Sequence, residues 1–245
     1  MRIISWNVNS VRARLENLLE VIREQSPDIL LLQETKVKDE LFPRGFFEDV
    51  GYNLAFCGEK INTGRNGVAI LSKHVLEDVK TDFCEEARYI EAYTGGMFIA
   101  SVYVPNGQEI GTAQYDYKLE FLARLKERLL EYKNEIFVMG GDFNVAPHEN
   151  DTYLENYEGI MCSPEERKLI SEIREAGFAD ALADKGYTWW DYRRFGFKKD
   201  NGFRLDHFYL SSEAQKIFSE GEVVRFARGL PRPSDHAPIQ ADFRK

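Results

Sequence analysis

Along the chain, short runs of apolar residues that end on a polar or acidic side chain alternate with stretches whose apolar positions recur at helical spacing. Arg2–Asn7 reads as a strand, and Leu15, Leu18, Leu19 and Ile22 then mark one face of a helix that Ser26 and Pro27 terminate. Residues 28–33 form a continuous apolar run of the kind buried on both faces of a sheet, and the run ends at Glu34. Further strands are expected at 68–71, 97–104, 136–139, 204–210 and Ile239–Phe243. Helices are expected at about 115–132, where Leu119, Leu122, Leu125 and Leu129 recur, and at 165–175. Some strands are separated by helices and others by short polar loops, which predicts an α/β sandwich of two packed sheets with helices outside.

No linker, low-complexity segment or tandem repeat divides the 245 residues, so one domain over 1–245 is expected. Hydrophobic residues at 43% and charged residues at 30% describe a globular chain and exclude a disordered or fibrous one. The N-terminal apolar run breaks at Asn7 and Asn9, too early for a signal-peptide core, and no stretch approaches the roughly 20 apolar residues of a membrane span. Cys57, Cys84 and Cys162 are odd in number and unrelated in spacing, the usage of free thiols in a reducing cytoplasm. A cytoplasmic protein without a membrane partner is therefore expected.

The net charge of −9 opposes a nucleic-acid partner, because phosphate binding usually leaves a basic footprint. The charge is uneven, however. Residues 187–245 carry 11 Lys/Arg against 8 Asp/Glu, leaving 21 against 33 in residues 1–186. That asymmetry permits a basic face on an acidic body.

Polar residues at the ends of apolar strands gather at one edge of a sandwich, and the chain supplies Asn7, Asn9, Glu34, Tyr103, Asn106, Asp142, Asn144, Asp206, Asp235 and His236. Phosphodiester hydrolysis calls for such groups: a metal to offset charge, a base for water, and donors toward the phosphate oxygens. In the run GGDFN, two glycines are expected to let the backbone turn after a strand, with Asp142 and Asn144 pointing to the same side. The same run also fits an Asx-type turn that satisfies only its own backbone. His236 in SDHAP could be a structural histidine; Asp206 in RLDHF, another acid beside a strand, is able to fix an imidazole's tautomer. Glu34 is a hard oxygen donor suited to magnesium or manganese, and no His/Cys cluster competes for zinc. Residues 189–204 interleave six aromatic with five basic side chains, which suits core packing and also stacking on an exposed sugar or base.

The ordered runs WNVNSVRAR, LLQETK, NGVAILS, VYVPNG, YKLEFL, GGDFNVAP, RLDHFYLS and SDHAPI resemble the exonuclease III family of abasic-site endonucleases over nearly the whole chain, from Ser5 to Ile239. The resemblance implies a four-layered, DNase I-like α/β sandwich and Mg²⁺-dependent cleavage 5′ to abasic sites, with Mn²⁺ as a substitute. It also implies 3′-to-5′ exonuclease and 3′-phosphodiesterase or phosphatase activities on double-stranded DNA with abasic sites or blocked 3′ ends, carried out by a monomer. Glu34 would bind metal with help from Asn7, and Asp142, Asn144, Asp235 and His236 would complete the metal surroundings. Tyr103 would contact the scissile phosphate, Asp142 would orient or deprotonate water with Asn144 in support, and His236, buttressed by Asp206, would bind a phosphate oxygen or act as base. Asn9, Arg12, Asn106, Trp189 and Phe203 would contact the substrate, the last two lining a pocket for an extrahelical sugar. One departure is the segment 146–162, where Glu149, Asp151, Glu155 and Glu158 stand without the basic residues of several relatives.

Two other classes share these residues. A phosphodiesterase for a phospholipid or inositol phosphate fits the same scaffold but not the runs YKLEFL and WWDYR. A non-catalytic DNA-binding module predicts a lost catalytic position, and none is lost.

Overall fold

A computed structural model describes residues 1–58 and 65–244, the side chain of Arg194 excepted. In chain order the elements are β1 (Arg2–Asn7), α1 (Leu15–Gln25), β2 (Ile29–Gln33), α2 (Arg44–Asp49), β3 (Asn53–Cys57), β4 (Val68–Ser72), β5 (Glu77–Lys80), β6 (Tyr89–Thr94) and β7 (Met97–Tyr103). There follow α3 (Ala113–Glu131), β8 (Phe137–Asp142), α4 (Pro164–Glu175), β9 (Ala179–Asp180), α5 (Gly196–Lys199), β10 (Asp206–Leu210), α6 (Ser212–Ile217), β11 (Phe218–Val223) and β12 (Ile239–Phe243). One sheet has the order β11-β12-β1-β2-β4-β3 and the other β5-β6-β7-β8-β10-β9.

Side-chain alternation in the strands builds the layers. Ile3, Ile29, Leu31 and Ile70 of the first sheet meet Ile90, Ile99, Val138 and Phe208 of the second between the sheets. The intervening residues Ile4, Leu30 and Leu32 face outward, where Leu18 and Val21 of α1 cover them. On the opposite side Phe121, Leu122, Leu125 and Leu129 of α3 cover Val102 and Met139. Two covered faces explain why residues 28–33 are an unbroken apolar run, and each such buried side chain contributes about 1.5–3 kcal/mol. Among the described residues three helices start on a side-chain cap, Thr112 for α3, Ser163 for α4 and Ser211 for α6; Ser163 and Glu166 form a capping box, with Pro164 in the first turn of α4.

Four strands absent from the hydrophobic pattern, β3, β5, β9 and β11, are the outer strands of the two sheets. An edge strand needs little apolar surface, and all four residues of β5 are exposed. The fifth, β6, is internal but carries the buried Glu91, whose charge is met by Arg128 at 3.0 Å. That ion pair lets an acid sit where the apolar pattern looks for a hydrophobe.

The glycines of GGDFN do not make a turn. Gly140 and Gly141 lie within β8, and their role is close approach. A Cβ on Gly140 would stand 2.4 Å from the Phe208 ring, and one on Gly141 would stand 2.0 Å from the Val102 carbonyl oxygen. Gly141→Ala is therefore expected to destabilise the fold by at least about 1–3 kcal/mol, read as a lowered urea midpoint, because backbone rather than a flexible side chain must give way.

Candidate active site

The parallel pairs β1–β2 and β7–β8 end at the same edge of the sandwich. Asn7 closes β1, Glu34 follows Gln33 at the end of β2, Tyr103 closes β7 and Asp142 closes β8. The antiparallel β10 begins there, so Asp206 stands directly opposite Asp142. His236 lies just ahead of β12, whose first residue pairs with Ser5 of β1. Residues spread from position 7 to position 236 thus converge because of strand order and direction.

Asn7 Nδ2 donates to Glu34 Oε1 at 2.8 Å and to Asp142 Oδ2 at 2.9 Å. His236 Nδ1 is 2.8 Å from Asp206 Oδ2, which leaves Nε2 facing Asp142 Oδ2 at 3.7 Å. Asn144 donates its backbone N–H to Asp142 Oδ1 at 2.9 Å, and its side-chain amide lies 3.3 Å from Oδ2. The Asx turn is therefore real, and it serves the cluster: one oxygen of Asp142 holds the turn while the other faces Asn7 and His236. Asn144 reaches Asp142 through its left-handed backbone (φ 51°), not through strand alternation.

Glu34, Asp142 and His236 each present one ligand atom, all within 4.8 Å of one another. The two carboxylate oxygens fit a divalent cation of the hard type, and the imidazole stands beside them. Asn7 turns N–H toward these carboxylates, and its Oδ1 accepts from the Asn9 backbone at 3.0 Å. Asp235 is engaged on both oxygens, by Asn9 Nδ2 at 2.9 Å and Trp189 Nε1 at 3.0 Å. Asp206 keeps Oδ1 buried without a partner among the described residues.

Burial pushes the Asp142 carboxyl up to about 7; His236 opposes this, while Asp206 and Glu34 add to it. Burial pulls His236 down, but the charges of Asp206 and Asp142 outweigh it and raise the imidazolium to about 10. The Tyr103 phenol is raised well above its ordinary value by burial and then by Glu34 and Asp142, so it stays a neutral donor. Asp235 is held low: His236, Trp189 and Asn9 overcome its burial.

The backing of the cluster is polar and buried. Ser234 Oγ donates to the Asn7 carbonyl at 2.7 Å and receives the His236 N–H, and Trp6 Nε1 donates to the His236 carbonyl at 3.0 Å. Thr188 Oγ1 accepts from the backbone of Leu205 and Asp206, each at 3.0 Å. Lys118 Nζ, fully buried on α3, donates to the Asn144 carbonyl at 2.7 Å, to the Asn106 carbonyl at 3.2 Å, and to Glu166. It ties together the loops carrying Asn106 and Asn144, whose side chains meet at 3.2 Å. Lys36 pairs with Glu34 at 2.6 Å and bonds Asn9. Sequence reasoning missed Lys118 and Lys36. The signal for Lys118 was its place four positions before Leu122 on the buried stripe of α3; Lys36 sits inside LLQETK.

Trp189 bridges to His236 and to Phe203, and its ring packs edge-on against Phe203 at 5.7 Å. Phe203 is buried, with Tyr153 and Tyr157 also against it. Asn106 is exposed at the rim. Arg12 is exposed on the turn after β1 and makes no bond to the cluster among the described residues; Arg14 bonds the Asn9 carbonyl instead, at 2.8 Å. In the 189–204 run, Trp190 is core and the side chain of Arg194 lies outside the described residues. Asp151 does not belong to an acidic surface: it is buried against Arg204 at 2.6 Å, leaving Glu149, Glu155 and Glu158 as the exposed acids of that loop.

The exodeoxyribonuclease III of Haemophilus influenzae is 31% identical over 271 residues, covering 100% of both chains. Among solved structures, a 3′ phosphatase from Neisseria bound to a product DNA hairpin superposes with a TM-score of 0.94 at 33% identity, covering 100% of each chain. An AP endonuclease from Archaeoglobus fulgidus does so at 0.93 and 34%, covering 99% of each. Both solved structures share the overall fold of this chain. With the model of the Endonuclease/Exonuclease/phosphatase family matching residues 4–236, the chain belongs to that family.

Proposed function

We propose that this chain is a divalent-metal-dependent DNA-repair nuclease that hydrolyses phosphodiesters at damage, 5′ to abasic sites and at blocked or damaged 3′ ends. The observation that carries this reading is the convergence of Glu34, Asp142 and His236 on one point, beside the half-buried Trp189, in a chain 31–34% identical to such enzymes. The substrate is read as double-stranded DNA and the ion as Mg²⁺, with Mn²⁺ able to replace it, because the ligating groups on offer are carboxylates.

Glu34 is the carboxylate that would hold the cation in this reading, with the Asp142 carboxylate and His236 Nε2 beside it. When bound, the cation supplies positive charge for the non-bridging oxygens of the phosphate. Asp142 Oδ2 takes the proton of the attacking water: a carboxyl raised to about 7 is a base matched to neutral pH. His236, held as imidazolium by Asp206, donates from Nε2 to a phosphate oxygen and stabilises charge as it develops. Tyr103 donates from its neutral phenol, and Asn144 fixes the Asp142 carboxylate. Trp189 and Phe203 form the apolar wall for an extrahelical sugar, whose missing base makes extrusion cheap.

A bell-shaped pH dependence of kcat/KM follows. Activity rises as Asp142 ionises at or below about 7, since a neighbouring cation favours the carboxylate, and it falls as His236 loses its proton near 10. A rate profile flat across that range contradicts these roles. A side-by-side assay of abasic, nicked and 3′-phosphate duplexes with Mg²⁺ tests the function itself. Turnover of at least one is expected; none on any of the three, with activity on a phospholipid or inositol phosphate, overturns the reading.

A further inference from the structure

Among the described residues two arginines are buried in the C-terminal half, and the fold treats them differently. Arg204, 1% exposed, is saturated: Asp151 accepts at 2.6 and 3.0 Å and Asp180 at 2.6 Å, and His207 Nδ1 lies 2.8 Å away. Arg228, 6% exposed, has no hydrogen bond or ion pair among the described residues, and its Nε is buried without a partner. Its guanidinium lies over the rings of Phe197 at 4.9 Å, Tyr192 at 5.5 Å and Trp190 at 6.0 Å.

Ring contacts recover only part of what taking a cation out of water costs. A guanidinium held in a rigid aromatic seat with its fork unpaired is arranged for an anion that is not part of the chain. Its neighbour repeats the feature. Arg14 bonds Tyr192 Oη at 3.0 Å and the Pro233 carbonyl at 3.3 Å, and its Nε is also buried without a partner. Tyr192, 50% exposed, thus stands between two incompletely bonded guanidinium groups.

The position is informative. Arg14 also bonds the Asn9 carbonyl, Asn9 bonds Asp235, and Asp235 precedes His236, so the pair flanks the cluster along the rim. The loop by Phe203 carries the exposed Glu149, Glu155 and Glu158 instead. A polyanion of net charge opposite to these arginines is drawn to the Arg14–Arg228 side.

We propose that Arg228, with Arg14 and Tyr192, forms a subsite for a backbone phosphate of the nucleic-acid strand adjoining the one that is cut. The subsite is separate from the Glu34–Asp142–His236 cluster, and the proposal rests on the nuclease reading above. It also answers how a chain of net charge −9 holds DNA: through a few fixed guanidinium groups on one rim.

The test is anisotropy of a fluorescein-labelled nicked DNA hairpin with the full chain in EDTA, across a salt series. Arg228→Met is expected to weaken binding about tenfold and to reduce the slope of log Kd against log salt by about one. In turnover its loss falls in KM more than in kcat. Arg228→Lys, which keeps charge but not the planar fork, restores the slope and only part of the affinity. Arg14→Met gives the same direction of change and serves if Arg228→Met does not fold. Wild-type affinity and slope in a folded Arg228→Met or Arg14→Met overturn the subsite alone. Absence of DNA binding by the wild type overturns the subsite and the nuclease reading together.

Discussion

Asp142→Asn is expected to lower kcat by about two to four orders of magnitude. The amide keeps the shape of the carboxyl, so Oδ1 still accepts the Asn144 N–H and the turn after β8 survives. What is lost is the base at Oδ2 and the charge facing His236 and Glu34. An amide nitrogen there also meets Asn7 Nδ2, donor against donor, where the carboxylate accepted at 2.9 Å. That contact sets a cost against the gain from removing a buried charge. A carboxyl raised from 3.8 to about 7 by burial costs stability at every pH above its unfolded value, so removing the charge is neutral or stabilising at neutral pH. With one of its two main carboxylate partners gone, His236 also titrates lower. Steady-state kinetics with a melting curve distinguish this from misfolding: undiminished kcat in the folded variant argues against the assigned role.

Lys118→Met is the largest expected effect on stability. Lys118 and Glu166 are both fully buried, and the ammonium has three acceptors, which together use its three hydrogens. Burial lowers its pKa against the pull of Glu166. Methionine fills the volume and leaves Glu166 buried beside the unbonded carbonyls of Asn106 and Asn144, at a cost of about 3–5 kcal/mol in urea unfolding. Adding Glu166→Gln removes the stranded charge while its amide oxygen still accepts from the Ser163 N–H of the capping box, and the double variant should lose less than Lys118→Met alone. A single-variant loss under about 1 kcal/mol contradicts the anchoring role. The loops that Lys118 holds carry Asn106 and Asn144, so activity should fall with stability.

How much of this was legible in the sequence depended on how local each cause is. Glu34 stood out because it closes a run buried on both faces, and Asp142 because it closes β8; both signals lie within a few residues. The mixture of short apolar runs, some separated by helices and others by polar loops, also pointed to the two-sheet sandwich. By contrast, nothing near His236 announces Asp206. Their 2.8 Å contact comes from β10 running antiparallel to β8 while the loop before β12 folds over the same edge. That pairing was accessible only through the resemblance of the motif series. Gly140 and Gly141 were read as turn residues because glycine is common in turns; their cause is the nearness of Phe208 and Val102, a tertiary fact. Asp151 read as a surface acid for the same reason, since its partner Arg204 is 53 positions away. The outer strands escaped notice because edge position removes the hydrophobic signal, and Glu91 hid β6 by placing a paired charge in a buried strand.

The most direct test of the account is hydrolysis of a duplex bearing one abasic analogue by the EDTA-stripped chain, with and without Mg²⁺ restored, for the wild type and Glu34→Gln. The predicted result is cleavage by the wild type only when the cation is present, with Glu34→Gln needing a higher Mg²⁺ concentration to reach its own half-maximal rate. Cleavage that persists in EDTA, or a Mg²⁺ requirement unchanged by Glu34→Gln, would contradict a metal-dependent centre built on Glu34, Asp142 and His236.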